Sequence, residues 1–102
     1  MVNHEVHVSV RFFTTLREIT SKKQETLEFS KNETVTVQSV LKHLAQLHGK
    51  SFAEYVYDHK TGEVRGFLQL LVNGRSASSF EGLNTILSDG DVLAIIPPVG
   101  GG

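Results

Sequence analysis

The sequence predicts an α+β domain in which a mixed sheet curls around one main helix. Three observations lead there. Residues 4–13 alternate apolar and polar side chains, residues 36–49 carry apolar side chains at helical spacing, and Val92–Ile96 is a continuous apolar strand near the end of the chain.

In the first strand, Val6, Val8, Val10 and Phe12 fall on one face and His7, Ser9, Arg11 and Phe13 on the other, because successive strand side chains point to opposite sides. A second strand is expected over residues 25–30, with Leu27 and Phe29 on its inner face. The polar run at residues 19–23 is expected to turn between them and make a hairpin. In the helix, Val37, Val40, Leu41, Leu44 and Leu47 form the apolar face. The hydroxyl of Thr36, or of Thr34, can accept from an orphan amide at its start. Gly49 can end it in the left-handed conformation. Each fully buried leucine on that face contributes roughly 1.5–3 kcal/mol.

Asp58-His59-Lys60-Thr61-Gly62 is a turn signal, flanked by residues 55–57 and 63–65 as short arms. Residues 67–72 read as a buried strand, and the Asn73-Gly74 that follows is a two-residue hairpin turn. Leu83, Ile86 and Leu87 indicate a helical turn within residues 80–87, and Asp89-Gly90-Asp91 is a second tight turn. Pro97-Pro98 ends the last strand. Strand, strand, helix, then two or three strands fits α+β rather than regular α/β alternation. The first and last strands are the most apolar and belong together in the sheet centre. This is the β-grasp, or ubiquitin-like, arrangement, expected as one domain over residues 1–98 and a flexible glycine tail over residues 99–102.

The composition narrows the function. A chain of 102 residues is one ordinary domain and buries roughly 60–70% of its unfolded surface. A net charge of −1 argues against a nucleic-acid partner. The longest nearly uninterrupted apolar run, residues 93–99, is far short of the ~20 needed to span a bilayer, so no membrane partner is expected. No basic-then-apolar leader opens the chain, and a cytoplasmic location is expected. There is no cysteine, hence no thiolate nucleophile, persulfide relay or cysteine zinc site. Any sulfur handled here sits elsewhere than on a cysteine. The five histidines are scattered; His43 and His48 fall on different helix faces, and they read as surface residues, so no metal or bound cofactor is expected. Asp89 and Asp91 resemble a carboxylate pair but are read as serving the turn at Gly90. No catalytic cluster emerges.

The chain ends Pro97-Pro98-Val99-Gly100-Gly101-Gly102. At ~7% glycine, three terminal glycines arise by chance in roughly 0.03% of chains, so the tail is read as functional. Proline donates no ladder hydrogen bond and holds φ near about −65°, so the sheet stops and a stiff segment leaves the domain. Glycines beyond it can thread a narrow channel in another protein and present a carboxylate. That carboxylate, with a pKa of ~3.3–3.7, is ionised at neutral pH and is a poor electrophile. Its oxygen can attack the α-phosphate of ATP, however, and the acyl-adenylate reacts readily. A sulfur donor then yields a thiocarboxylate; a lysine amine yields an isopeptide bond. Both favour glycine, since a Cβ would crowd the carbonyl.

Residues 87–99 with the final glycines resemble the C-terminus of the MoaD/ThiS family of sulfur carriers. Residues 11–18 resemble the first strand of MoaD and its exit, and Leu71-Val72-Asn73-Gly74 its central hairpin. The resemblance runs in order through nearly the whole chain. It implies that a partner adenylating enzyme activates Gly102 with ATP, that Gly101 is its required neighbour, and that sulfur replaces one carboxylate oxygen. The MoaD type acts as the small subunit of molybdopterin synthase, and the ThiS type supplies the thiazole of thiamine. Relatives thiolate transfer RNA or, as archaeal small modifiers, join target-protein lysines. The implied partners are therefore the adenylating enzyme and either the large synthase subunit or target lysines, with no independent active site here. Two departures stand out: Gly100 replaces the serine, threonine or alanine frequent in MoaD, and residues 51–66 are longer than in compact members.

If Val10 and Phe12 face the helix, Phe13 faces the other side of the sheet, and the same alternation puts Leu71 and Ile96 beside it. This predicts an apolar docking patch of Phe13, Leu71 and Ile96, continued by Pro97, Pro98, Val99 and Gly100, unless residues 51–66 cover it.

Overall fold

The computed structural model describes residues 5–98. The elements are β1 (Glu5–Phe12), α1 (Thr15–Thr20), β2 (Gln24–Ser30), α2 (Val37–His48), α3 (Lys50–Val56), β3 (Gln69–Val72), β4 (Arg75–Ser76) and β5 (Val92–Ile96). Val99, Gly100, Gly101 and Gly102 lie outside the described residues.

The sheet order is β2-β1-β5-β3-β4. β1 runs antiparallel to β2 and parallel to β5, and β3 runs antiparallel to both β4 and β5. The two most apolar strands sit together because Val8, Val10, Phe12, Leu93 and Ile95 all need complete burial, and all obtain it. Val37, Val40, Leu41 and Leu44 of α2 close the core from the other side. This mixed sheet around one long helix is the β-grasp arrangement.

Local signals explain the ends of α2. Thr36 Oγ1 accepts from the Ser39 amide at 3.1 Å, and Ser39 Oγ accepts from the Thr36 amide at 2.7 Å. This reciprocal box satisfies two orphan donors. At the other end Gly49 has φ 80° and ψ −155°. It is therefore not in the left-handed helical conformation expected, because the chain turns there directly into α3, of which Gly49 is also the N-cap. Leu47, expected on the buried face, is exposed. The inward position of the last turn belongs to His48, whose ring packs between Phe12 and Phe52 at 6.1 and 6.0 Å.

Several further expectations are corrected. The β1–β2 connection contains α1, with Leu16 and Thr20 buried and the Thr20 hydroxyl donating to the Leu16 carbonyl at 2.7 Å. Residues 50–56 are helical rather than an arm, since Phe52 and Val56, one helical turn apart, both enter the core. Tyr57 and Val64 do pair across the turn, where Asp58 accepts from the Lys60 and Thr61 amides. Phe67 is exposed, and the strand starts at Gln69. Residues 77–84 form two 3-10 turns, Ala77–Ser79 and Gly82–Asn84. Ile86 lies on the surface while Leu87 is buried.

The turns follow their residue types. Asn73 and Gly74 both have positive φ, 50° and 86°, as the primed hairpin between β3 and β4 requires. Asp91 accepts from the Ser88 amide at 2.8 Å and from the Asn73 side chain at 3.0 Å. Asp89 accepts from the His7 amide at 2.7 Å and faces the His7 ring nitrogen Nδ1 at 3.0 Å. Those bonds hold its carboxyl below the usual value. Both aspartates thus tie the turn to neighbouring strands.

Candidate functional site: the root of the tail and the outer sheet face

Because β5 runs parallel to β1, the C-terminal end of β5 emerges where β1 ends. Phe12 stands opposite Ile95, and Gln69 opposite Ile96. Leu93, Ile95 and Pro97 point to the core, whereas Val92, Ala94 and Ile96 occupy the outer face and are partly exposed. The docking role expected for Pro97 meets a correction here. Pro97 is buried, since it continues the inward alternation of β5, and Pro98 is the exposed member of the pair.

One row crosses the whole sheet on the outer face: Gln24, Arg11, Ala94, Leu71 and Ser76 stand side by side. Leu71 and Ala94 are therefore direct neighbours, with Ile96 one step toward the tail. Phe13 lies just past the end of β1 and is half-buried. The expected grouping of Phe13, Leu71 and Ile96 thus places all three at the tail end of the sheet and leaves each partly exposed. Within residues 51–66, α3 packs against α2 and α1.

Two residues that the sequence reading did not assign to the site frame it. The guanidinium groups of Arg11 and Arg17 lie 5.6 and 5.5 Å from the centre of the Phe13 ring. Arg17 is held there by donating from Nε to the Phe12 carbonyl at 3.0 Å. The only sequence signal was the i, i+2 placement of Arg11 and Phe13 on one face. Arg17 needed α1, which the sequence did not reveal. Cations over an aromatic face are attracted by its quadrupole, so the root of the tail combines an apolar row with two positive charges.

A sequence model described as the ThiS family matches residues 10–102. The chain belongs to the ThiS family. The family's members here are ubiquitin-like carriers and modifiers. The chain is 32% identical to small archaeal modifier protein 3 of Haloferax volcanii over 97 residues, which cover 95% of this chain and 100% of that relative. The crystal structure of SAMP1 from the same organism superposes with a TM-score of 0.77 at 27% identity, covering 94% of this chain and 99% of that one. CysO from the Amycolatopsis orientalis BexX/CysO complex gives a TM-score of 0.70 at 28% identity, covering 93% and 99%. Among the described residues no helix is long and apolar enough to cross a membrane.

Proposed function

We propose that this chain is a sulfur carrier whose Gly102 carboxylate is activated by a partner adenylating enzyme. A carboxylate oxygen attacks the α-phosphorus of ATP and pyrophosphate leaves. A sulfide-level sulfur nucleophile then adds to the acyl carbon, AMP leaves, and a thiocarboxylate remains. Gly101 keeps the approach free of side chains. Phe13, Leu71, Ile96 and the exposed Pro98 dock the partner, while Val99 and Gly100 lead into its channel. The observation that carries this reading is that the family match extends through Gly102, so the terminal glycines belong to the shared pattern. The absence of cysteine agrees with it, since the chain itself holds no thiol sulfur to transfer. Delivery to a pterin precursor as the small subunit of molybdopterin synthase is the destination proposed, in the cytoplasm.

A second reading has its own support. The relative matched over its full length is a small archaeal modifier protein. The same acyl-adenylate, attacked by a lysine amine with loss of AMP, gives an isopeptide bond. Incubation with ATP, a candidate adenylating enzyme and a sulfide source, followed by intact mass and C-terminal peptide analysis, tests the carrier role. One oxygen-to-sulfur exchange on Gly102 is expected, and its loss in a variant with one residue added after Gly102. An unchanged carboxylate beside a working control carrier refutes the carrier role. Lysine-linked adducts in its place support the modifier.

A further inference from the structure

Arg11 and Arg17 bring two cations to the root of the tail, and neither has a carboxylate partner among the described residues. The ion pairs lie elsewhere: Glu25 takes Lys22 and His48, Glu28 and Asp89 take His7, and Glu54 takes Lys50. Arg17 uses its Nε hydrogen on the Phe12 carbonyl at 3.0 Å, which leaves the donors of its two terminal nitrogens for another acceptor. Both guanidinium groups rest against the Phe13 ring, at 5.6 and 5.5 Å from its centre, so one half-buried platform positions the two of them. The acidic groups of the outer face stand at its other end. Glu28 and Asp89 flank His7, four residues along β1 from Arg11, or roughly 13 Å away.

From this arrangement we infer that Arg11 and Arg17 form a clamp for aspartate or glutamate side chains on the surface of the adenylating enzyme. The inference rests on the activation of Gly102 proposed above and names the chemistry of the surface that meets the tail root. A planar guanidinium matches a carboxylate with two parallel hydrogen bonds. A charge covered by an interface without a counter-charge is costly, so a surface that closes over Phe13, Leu71 and Ile96 must bring anions to the two arginines. The separation of charge along the sheet also sets the approach. An acidic surface is drawn to the tail end and repelled from Glu28 and Asp89, which orients the encounter before contact. The phosphates of ATP are not the counter-charge. They react at Gly102, four residues beyond Pro98, and four extended residues span about 13–14 Å.

ATP–pyrophosphate exchange by the candidate adenylating enzyme, with the full chain as substrate and across a range of salt concentrations, tests this. The KM for the unaltered chain is expected to rise with salt, as screening weakens the charge pairs. Arg11→Gln and Arg17→Gln are each expected to raise that KM about tenfold or more, to flatten its salt dependence, and to leave kcat and the KM for ATP unchanged. Arg17→Lys, which keeps the charge and loses the fork, is expected to fall between. Lys60→Gln makes the same change of net charge on the turn at residues 58–62 and is expected to behave as the unaltered chain does. Thermal midpoints check that each variant folds, and Arg11→Gln decides the matter if Arg17→Gln does not. No exchange with the unaltered chain, beside a control carrier that exchanges, overturns the activation of Gly102 and the clamp with it. Normal exchange with an unchanged KM in both folded variants overturns the clamp alone, as does a raised KM with unaltered salt dependence. A lowered KM would assign the arginines to the chain's own terminal carboxylate, and a raised KM for ATP would assign them to the nucleotide; either overturns the clamp.

Discussion

The proposed docking surface centres on one side chain, Phe13. Its ring is half-buried and carries a guanidinium group on either neighbour, Arg11 and Arg17. Each exposed cation–π contact contributes about 0.5–1 kcal/mol, and a partner that covers the ring desolvates both. Phe13→Ser removes the apolar centre and leaves the two arginines without their platform. A loss of about tenfold or more in affinity for the adenylating enzyme is expected, the size of an aromatic anchor. The thermal midpoint should hardly move, because Phe13 is not among the core residues. Titration calorimetry decides; an unchanged Kd removes Phe13 from the docking surface.

At the level of elements, one polar cluster joins β2 to the end of α2. His48 Nε2 lies 2.7 Å from Glu25 Oε1, and Lys22 Nζ lies 3.2 Å from Glu25 Oε2. The Glu25 and His48 side chains are only 14% and 13% exposed, so solvent screens the pair weakly. Burial pushes the Glu25 carboxyl up, but the bonds to His48 and Lys22 outweigh it and leave the value below the ordinary 4.5. A carboxyl depressed by folding stabilises the protein above its unfolded value, and that contribution is lost as pH falls through the folded one. Urea unfolding followed across pH should therefore show stability declining below about pH 4.5. Glu25→Gln should flatten that part of the profile and cost about 1.5–3 kcal/mol at neutral pH. A Glu25→Gln profile with the same acid slope would remove this cluster from the account.

Over the whole molecule, the fold and the proposed tail chemistry are expected to be separable. The core runs through β1 and β5 to α2 and α3, whereas the proposed reaction takes place beyond Pro98. Leu93 is fully buried in the central strand, and Leu93→Ala should cost about 2–5 kcal/mol. Deletion of residues 99–102 should leave the unfolding midpoint unchanged and abolish the oxygen-to-sulfur exchange. A deletion that destabilised the domain as much as Leu93→Ala would show that the tail is part of the fold.

The sequence by itself determined the strands β1, β2 and β5, the span and N-cap of α2, the hairpin at Asn73-Gly74 and the family. These rest on near neighbours: a two-residue or 3.6-residue period, a hydroxyl three residues from an amide, a glycine where φ must be positive. It also placed Phe13, Leu71 and Ile96 on one face, because alternation carries a face assignment along each strand. Tertiary structure alone decided the rest. His48 displaced Leu47 from the core because Phe12 and Phe52 meet at its ring, and Pro97 was buried by the register of β5. Arg17 reached Phe13 only through α1, and His7 met Asp89 across 82 residues of chain. Each of these depends on which distant segments pack together, and local periodicity carries no information about that.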